Sequence, residues 1–311
     1  MSFLFSKPKW HEGPLWERAL RAYDVMARQQ FEATSSKRLV SKYGSTQVYT
    51  CGDESKPAVF LFHGMGANSM MFGDWLVPVL RQHFYTVCID TPGDVGLSCP
   101  KDGDEQYIPS TKEEFTEWFL DMQQQLGLSG KKVHLIGFSY GCYIASQLAL
   151  MVPESVEKVC FLAPAAVFSG IARGWLFRAI FCVTWAALMP TESLKKYAMD
   201  YFMAYMSEHY HEQKKTWKPD YAEMRAACGS ISPVIKMNPE ELDMNSLQRI
   251  ASKSMLVLGD KETVIDPARA IQRATEAGVP VKVYKDAGHL LYAEYTRDIA
   301  KQDVLDFFLR D

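Results

Sequence analysis

Five residues decide how this chain is interpreted: Gly137-Phe138-Ser139-Tyr140-Gly141. The residues before them, Lys132-Val133-His134-Leu135-Ile136, predict a short buried strand, and residues 142–150 predict a helix of small and apolar side chains. A serine between two glycines at a strand-to-helix turn is typical of a nucleophile elbow, because the glycines let the backbone crowd the turn and push the hydroxyl out above the sheet. A five-residue pattern with only three fixed positions occurs by chance in many chains. The prediction therefore depends on a base, an acid and an oxyanion hole elsewhere.

The bulk composition is that of an ordinary globular protein. The chain has 311 residues, 48% hydrophobic and 23% charged, enough for one large α/β domain or for a core with an insertion. The formal net charge of −3 offers no basic surface for nucleic acid and no polybasic patch for a membrane. A small-molecule substrate is therefore the expected partner, nucleic acid is not, and no oligomeric state is predicted.

The cysteines and the apolar segments bear on location. Seven cysteines are scattered without a C-x-x-C pair, and several lie in apolar strand or helix patterns, as expected for buried thiols of a reduced protein. Residues 1–10 contain no long apolar run, so no signal peptide is expected. The most hydrophobic segment, 175–189, is interrupted by Arg178 and is shorter than the ~20 residues that span a bilayer. A cytoplasmic protein without a membrane span is expected.

Apolar strand patterns alternate with amphipathic helix patterns along most of the chain. This alternation predicts an α/β fold with a mostly parallel central sheet and helices on both faces, and right-handed crossovers place the strand-exit loops along one edge. One helix with Trp75, Val79 and Leu80 on one face is expected near the start of the alternation. Strands are predicted at 37–43 and 47–51 (a hairpin), 58–62, 86–89, 132–136, 158–163, 255–259 and 281–284.

The alternation predicts three parts. Residues 1–36 form an N-terminal helical extension, residues 37–163 and 253–311 form the α/β core, and residues 164–252 form a helical cap over the active-site edge. The cap is predicted because this stretch is helical in composition and contains no convincing strand. Its aromatic and methionine residues suggest an apolar substrate pocket, although any one of them is more simply explained as cap core. These residues are Trp175, Phe177, Phe181, Trp185, Met189, Met199, Phe202, Met203 and Met206.

The base that Ser139 requires is predicted to be His289. A serine hydroxyl becomes a good nucleophile only when a neighbouring base takes its proton. His289 ends the loop Asp286-Ala287-Gly288-His289, which follows the last predicted strand and therefore reaches the same sheet edge as Ser139. The order of nucleophile, acid and histidine along the chain is also the one expected for this fold.

The acid that orients the base should leave the preceding strand. Residues 258–267 carry three carboxylates there. Glu262 is the predicted acid, Asp266 is the main alternative, and Asp260 is third. Asp266 precedes a proline and so also suits the start of a helix.

The oxyanion hole requires two backbone N–H donors. Tyr140, directly after the nucleophile, supplies one, and Met65 in the loop His63-Gly64-Met65-Gly66 supplies the other. Residues 64–69 also approach a G-x-G-x-x-G pattern, but serine replaces the third glycine, which makes a dinucleotide site a weak alternative. The only close histidine pair, in His209-Tyr210-His211, lacks H-E-x-x-H, so no metal and no cofactor are expected.

Taken together, these motifs resemble the α/β-hydrolase superfamily, from about residue 37 to residue 310. The loop 93–96 and the loop 262–267 resemble a bacterial-type branch described as carboxylesterase-like. Two departures are visible: Asp94-Val95 adds a residue between the glycines of D-x-x-G-x-G-x-S, and Glu262 stands where that family usually has aspartate. The motifs that carry the resemblance are His63-Gly64-Met65-Gly66, Asp90 with Gly93 and Gly96, Ser139 in its elbow, Gly259-Asp260-Lys261-Glu262, and Gly288-His289.

The resemblance implies a serine hydrolase. The expected reaction is cleavage of a carboxylic ester, or a related acyl bond, of a largely apolar small molecule through a Ser-His-acid triad and an acyl-enzyme. The same triad also serves C–C bond hydrolases, thioesterases and lyases. A non-catalytic ligand receptor on this fold usually has a damaged triad, whereas Ser139 and His289 are both present here.

Overall fold

A computed structural model describes residues 14–31, 35–189, 191–215, 234–293 and 295–310, and over these residues the chain is built on a nine-stranded sheet. The strands are β1 (Ser35–Ser41), β2 (Gly44–Cys51), β3 (Ala58–Phe62), β4 (Tyr85–Ile89), β5 (Cys99–Pro100), β6 (Val133–Phe138), β7 (Val156–Leu162), β8 (Ser254–Gly259) and β9 (Val281–Tyr284). They lie in the order β1-β2-β4-β3-β6-β7-β8-β9, with β5 beside β2. β2 runs antiparallel to its neighbours β1, β4 and β5, whereas parallel pairs join β4, β3, β6, β7, β8 and β9. The predicted mostly parallel sheet is confirmed.

Both faces of the sheet are buried, because its central strands are apolar along their whole length. In β3, Phe60 and Phe62 belong to one hydrophobic cluster and Val59 and Leu61 to another, and all four side chains are fully buried. Successive side chains of a strand point to opposite faces, so the two clusters are the two layers between the sheet and its helices. The strands of a sheet covered on both faces read as continuous apolar runs, as they do here.

The described helices cover these two layers. They are α1 (Pro14–Gln30), α2 (Met70–Gly73), α3 (Val77–Leu80), α4 (Lys112–Gln125), α5 (Tyr140–Met151), α6 (Arg173–Leu188), α7 (Glu192–Met206), α8 (Tyr210–Lys215), α9 (Met244–Ala251), α10 (Pro267–Ala277) and α11 (Arg297–Leu309). Helices α4, α5, α9 and α10 contribute to the layer that contains Phe60. Helices α1, α2, α3 and α11 contribute to the opposite layer. Helices on both faces are therefore confirmed.

The prediction of a single helix that carries Trp75, Val79 and Leu80 is wrong. The structure has two short helical turns, α2 and α3, with Trp75 in the connection between them. Pro78 lies at the start of α3, where its fixed φ and its missing N–H suit a first helical turn but not the middle of a longer helix. Trp75 and Leu80 are nevertheless buried in the same layer.

The inserted segment (residues 164–252) lies between β7 and β8 and is not purely helical. It begins with buried irregular chain, in which Val167 and Phe168 are fully buried. Isolated β-bridges join Val167 to Glu241 and Ile171 to Ile265. The division into extension, core and cap stays a prediction, and residues 1–13, 32–34 and 216–233 lie outside the described residues. Helix α1 itself packs on the sheet through the buried Trp16 and Tyr23.

The apolar residues of α6 and α7 differ in burial. Phe202, Met203 and Met206 in α7 are buried, whereas Phe177 and Phe181 in α6 are 73% and 55% exposed. The pocket residues predicted from sequence therefore divide between a buried face of α7 and a solvent-facing face of α6, with the side chain of Met199 outside the described part. Among the described helices, none is both long enough and apolar enough to cross a membrane.

Candidate active site

Ser139 lies at a strained turn between β6 and α5. Its φ is 52° and its ψ is −114°, a conformation that costs a non-glycine residue on the order of 1–3 kcal/mol. A Cβ on Gly137 would lie 2.5 Å from Cα of Cys142, and one on Gly141 would lie 2.0 Å from the carbonyl oxygen of Phe62. The two flanking glycines are therefore required by close backbone contacts, as the sequence predicts for a nucleophile elbow.

Three side chains from separate loops form a hydrogen-bonded chain at this turn. His289 Nε2 lies 2.9 Å from Ser139 Oγ, and His289 Nδ1 lies 2.7 Å from Glu262 Oε2. Because a carboxylate accepts hydrogen bonds, we assign the proton of the neutral ring to Nδ1, which leaves Nε2 to accept from the serine hydroxyl. His289 and Glu262 are only 3% and 5% exposed, so solvent screens this contact weakly.

The second oxygen of Glu262 is held by backbone. Its Oε1 accepts from the amides of Thr263 and Val264, at 2.8 Å and 2.7 Å. These two bonds orient the carboxylate so that Oε2 points at the imidazole. Glu262 is thus fixed from both sides despite standing where similar hydrolases usually carry aspartate.

The other two candidate acids have different partners. Asp266 is exposed and caps α10, where its Oδ1 accepts from the Arg269 amide at 3.2 Å. Asp260 is exposed in the turn after β8. Of the three carboxylates predicted from the sequence, Glu262 is the one that contacts His289.

The backbone around His289 is tied to two neighbouring segments. The amide of Lys261 donates to the carbonyl of Ala287 at 2.9 Å, which joins the loop of Glu262 to the loop of His289. The amide of His289 donates to the carbonyl of Met206 at 2.8 Å, at the end of α7. The inserted segment therefore contributes directly to holding the imidazole.

The loop 63–66 lies against the elbow. A Cβ on Gly64 would approach Cβ of Ser139 to 3.1 Å, so the chain passes within van der Waals contact of Ser139 just before Met65. Tyr140 follows Ser139 as the first residue of α5. The structure thus places both residues that the sequence predicts as oxyanion donors beside Ser139.

Behind this loop lies a buried polar network of Asp94, Asp90 and His63, whose contacts the sequence does not predict. Asp94 is 2% exposed; its Oδ1 accepts from the amides of Gly66 and Val95 at 3.0 Å and 2.8 Å, and its Oδ2 lies 3.2 Å from the Gly66 amide nitrogen. Burial raises the pKa of Asp94 to about 8. The additional residue at Asp94-Val95 was the visible signal, but its partner lies 28 residues away in the chain.

Asp90 and His63 complete the network. Asp90 accepts from the amides of Ser69 and Leu97, at 2.9 Å and 2.6 Å, and from the hydroxyl of Tyr23 at 2.7 Å. His63 lies 2.8 Å from the Gly64 carbonyl through Nδ1, and its Nε2 accepts from the Thr91 amide at 3.0 Å. Burial lowers the pKa of His63, which favours this neutral ring. These contacts connect the loop 63–69 to the loop after β4 and to α1.

The described residues do not support the two alternative sites, a dinucleotide site and a metal site. Residues 64–69 lead into α2, which has only four residues, rather than into the long helix of a dinucleotide site. Within the described ranges, no three His, Cys, Asp or Glu side chains are arranged to hold a metal ion. His211 is exposed at the start of α8, as a surface helix would explain.

Comparison with known families identifies the fold. A family model described as "Alpha/beta hydrolase family" matches residues 58–302, which is most of the chain. This chain belongs to the alpha/beta hydrolase family. Membership in this family agrees with the parallel sheet, with the strand-to-helix turn at Ser139 and with the order of Ser139, Glu262 and His289 along the chain.

Three comparisons place this alpha/beta hydrolase near bacterial carboxylesterases. It is 25% identical over 276 residues to the protein named uncharacterized carboxylesterase nap of Bacillus subtilis, covering 86% of this chain and 84% of that protein. It is 25% identical over 270 residues to carboxylesterase YbfK of Bacillus subtilis, covering 86% and 85%. Its fold matches the crystal structure of naproxen esterase (carboxylesterase NP) from Bacillus subtilis with a TM-score of 0.80 at 22% identity, covering 96% and 99%. The predicted resemblance to the carboxylesterase-like branch is confirmed.

Proposed function

We propose that this alpha/beta hydrolase is a carboxylesterase-like serine enzyme that hydrolyses carboxylic esters of largely apolar small molecules. The observation that carries the proposal is the hydrogen-bonded chain from Ser139 through His289 to Glu262. The two curated relatives named as carboxylesterases, each 25% identical over 86% of this chain, support the same class of reaction.

Acylation of Ser139 is the first step of the proposed reaction. His289 Nε2 takes the proton of the Ser139 hydroxyl while Oγ attacks the ester carbonyl carbon. Glu262 accepts from Nδ1–H and stabilises the imidazolium that forms. The backbone amides of Met65 and Tyr140 donate to the oxyanion. His289 then gives its proton to the departing alcohol, and the acyl group remains on Ser139.

Deacylation repeats the same roles with water. His289 removes a proton from a water molecule, the resulting hydroxide attacks the acyl carbon, and the same two amides hold the second oxyanion. The proton passes to Ser139 Oγ as the carboxylic acid leaves, which restores the free enzyme. Every step uses side chains and amides of this chain, and the proposed reaction requires no cofactor.

An apolar substrate is supported by the side chains near the base. Phe202, Met203 and Met206 in α7 are buried, and the carbonyl of Met206 accepts from the His289 amide. Met65, beside the nucleophile, is 52% exposed although its side chain is apolar. An acyl or alcohol group next to Ser139 would meet the exposed thioether side chain of Met65, which favours apolar substituents.

The nucleophile is tested by covalent labelling. The wild-type protein should react with a fluorophosphonate probe, and Ser139→Ala should not, because the phosphonyl group bonds to an activated serine oxygen. Absence of labelling in the folded wild type would overturn the proposal. Lys112→Ala, on the distant and exposed start of α4, should label like the wild type.

The reaction class is tested by matched substrates. Esters of the same short acyl group with apolar alcohols should be turned over faster than the corresponding thioester and than a β-diketone of similar size. Preference for the thioester or the β-diketone would assign the triad to a thioesterase or a C–C bond hydrolase instead. Tight ligand binding without turnover of any of them would indicate a receptor.

We also propose that this enzyme is located in the cytoplasm. The six cysteines in the described ranges are all free, and five of them are buried, which suits a reducing compartment. Fractionation of native cells, followed by thiol alkylation before and after denaturation, tests it. A disulfide in the native protein would contradict the proposal.

A further inference from the structure

The peptide that carries the Tyr140 N–H also carries the Ser139 carbonyl. In a planar trans peptide these two groups point in opposite directions, so a contact that fixes the Ser139 carbonyl oxygen also fixes the direction of the Tyr140 N–H. Tyr140 is the first residue of α5, and the N–H of a first helical residue has no acceptor within its own helix. This N–H therefore points to an acceptor outside the helix, such as the oxyanion of the proposed reaction.

Two amides hold the Ser139 carbonyl oxygen. The Cys142 amide donates to it at 3.0 Å from the first turn of α5, and the Ala165 amide donates to it at 3.1 Å from the loop after β7. A carbonyl oxygen has two lone pairs and can accept both bonds. The Ser139 amide in turn donates to the Leu162 carbonyl at 3.0 Å. Both backbone groups of Ser139 are thus bonded to the end of β7 or to the loop that follows it.

The loop that presents the Ala165 amide has a strained backbone. Ala163, Ala166 and Val167 have φ values of 43°, 61° and 62°, in the left-handed region that favours glycine. The Phe168 amide donates to the Ala166 carbonyl at 2.7 Å, which with the positive φ of Val167 forms the rarer and more strained type of γ-turn. Residues in such conformations persist only where surrounding contacts determine them, and they cluster at functional sites.

Backbone bonds to other segments hold this loop in place. The Ala163 amide donates to the Val257 carbonyl in β8 at 2.8 Å. The Val167 amide donates to the Glu240 carbonyl at 3.1 Å, and the Val167 carbonyl accepts from the Leu242 amide at 2.9 Å. The side chain of Val167 is fully buried. Because these bonds do not involve Ser139, the loop can position the Ser139–Tyr140 peptide rather than be positioned by it.

We propose that Ala165 is a positioning residue for ester hydrolysis: its backbone N–H holds the Ser139 carbonyl and thereby directs the Tyr140 N–H at the developing oxyanion. The proposal rests on the proposed function, since the Tyr140 N–H has this task only in a serine hydrolase. Ala165 acts through its backbone and not through its methyl group. The strained turn beside it is then the feature that brings this N–H to the elbow.

Replacing the backbone amide by an ester tests the donor without changing a side chain. Ala165→lactic acid removes the N–H and keeps the methyl group. Ala165→Pro also lacks the N–H and is a second variant, available by ordinary mutagenesis. The matched control is Val167→2-hydroxy-3-methylbutanoic acid, which removes the 3.1 Å bond to the Glu240 carbonyl in the same loop and leaves the bond from Ala165 to Ser139 in place.

The experiment measures kcat and KM for a short-chain p-nitrophenyl ester, and Ki for a trifluoromethyl ketone, whose adduct with a serine carries an oxyanion. We expect Ala165→lactic acid to lower kcat roughly 10- to 100-fold, less than removal of a donor would, because the Cys142 amide still holds the carbonyl. KM should change less than about threefold, and Ki should rise by about the factor by which kcat/KM falls. The control should lose thermal stability and keep kcat within about threefold of the wild type.

Three results would overturn the inference. They are an unchanged kcat in folded Ala165→lactic acid or Ala165→Pro, an equal loss of kcat in the Val167 control, and a loss of kcat without a rise in Ki for the ketone. A wild-type protein that neither hydrolyses the ester nor labels with the fluorophosphonate would instead overturn the proposed function. The two failures are therefore distinguishable.

Discussion

Glu262 is the residue whose replacement tests the hydrogen-bonded chain most directly. Glutamine is nearly isosteric but can turn an NH2 group toward His289 Nδ1, which favours the wrong ring tautomer. We expect Glu262→Gln to lower kcat by about 1000-fold or more, as in other triads whose acid becomes an amide. Ester turnover by the purified variants measures this.

Asp266→Asn provides the matched control for that variant. Its side chain caps α10 through the Arg269 amide, and asparagine can do the same. The variant should therefore keep kcat within a few-fold of the wild type. A collapse in Asp266→Asn beside a normal Glu262→Gln would reverse the assignment of the acid.

Asp94 should make stability depend on pH. Its pKa is raised from 3.8 to about 8 by burial, so the folded state binds the proton more tightly than the unfolded state. This contribution to stability is complete below about pH 4 and is lost as pH rises toward 8. The free energy of unfolding of Asp94→Asn, relative to the wild type, should therefore rise by at least about 1 kcal/mol between pH 4 and pH 8.

Urea denaturation at both pH values checks the Asp94 prediction. Ser98→Ala supplies the comparison, because it removes a buried polar group from the same loop without changing a titratable one. A constant difference between Asp94→Asn and the wild type across the range would show that Asp94 titrates normally.

The residues that meet at the elbow could be found from sequence for a physical reason. Ser139, Glu262 and His289 each follow a strand of the parallel sheet, and such strands end at one edge. Asp94 could not be found in this way, because its partner is a backbone amide in another loop and no residue type marks a backbone donor. The catalytic roles themselves remain predictions.

The hydroxyl group of Tyr23 joins helix α1 to the buried polar network around Asp90. Tyr23 is buried, donates to Asp90 Oδ2 and lies 3.1 Å from Ser69 Oγ. Tyr23→Phe leaves the buried Asp90 with one donor fewer, which should lower the free energy of unfolding by about 1–3 kcal/mol. Tyr43→Phe, which removes a partly buried contact with Glu117, should cost less than about 1 kcal/mol in the same denaturation experiment. Equal losses would show that α1 docks without this bond.

The elements around Glu241 are joined by ion pairs. Its carboxylate accepts from Arg269 on α10 and from the Gly170 amide at the start of the inserted segment, and it lies 2.8 Å from Arg273. Arg269, followed by the Gly170 amide and Arg273, holds the pKa of Glu241 below its usual range. The stabilisation is thus present above the unfolded pKa of 4.5 and is lost as pH falls through the lower folded value.

Glu241→Gln should therefore destabilise the protein most at neutral pH. We expect a loss of about 1–3 kcal/mol at pH 7, because Arg273 is only 12% exposed and loses the negative charge of its carboxylate partner. At an acidic pH below the lowered pKa of Glu241 the difference should shrink, since the wild-type carboxyl is then neutral as well. Thermal unfolding of both proteins at the two pH values measures it, and a pH-independent difference would rule out the ion pairs as its cause.

Across the whole molecule, the sheet was predictable and the connections were less so. The strands predicted at 58–62 and 281–284 have the observed bounds of β3 and β9. For β3 the apolar run gives the reason, because a buried parallel strand admits few polar residues. One expected helix is divided into α2 and α3 because of Pro78 and the burial of Trp75. The spacing of apolar residues alone predicts neither effect. The bridge from Val167 to Glu241 joins distant segments and has no local signature.

The bond from the His289 amide to the carbonyl of Met206 has a consequence for engineering. Exchanging the inserted segment between relatives is an obvious way to change which esters are accepted. In this chain such an exchange also replaces the residue whose carbonyl holds the His289 amide, so we expect specificity and turnover to change together. A graft that retains residues 206–208 and replaces only what precedes them would separate the two properties.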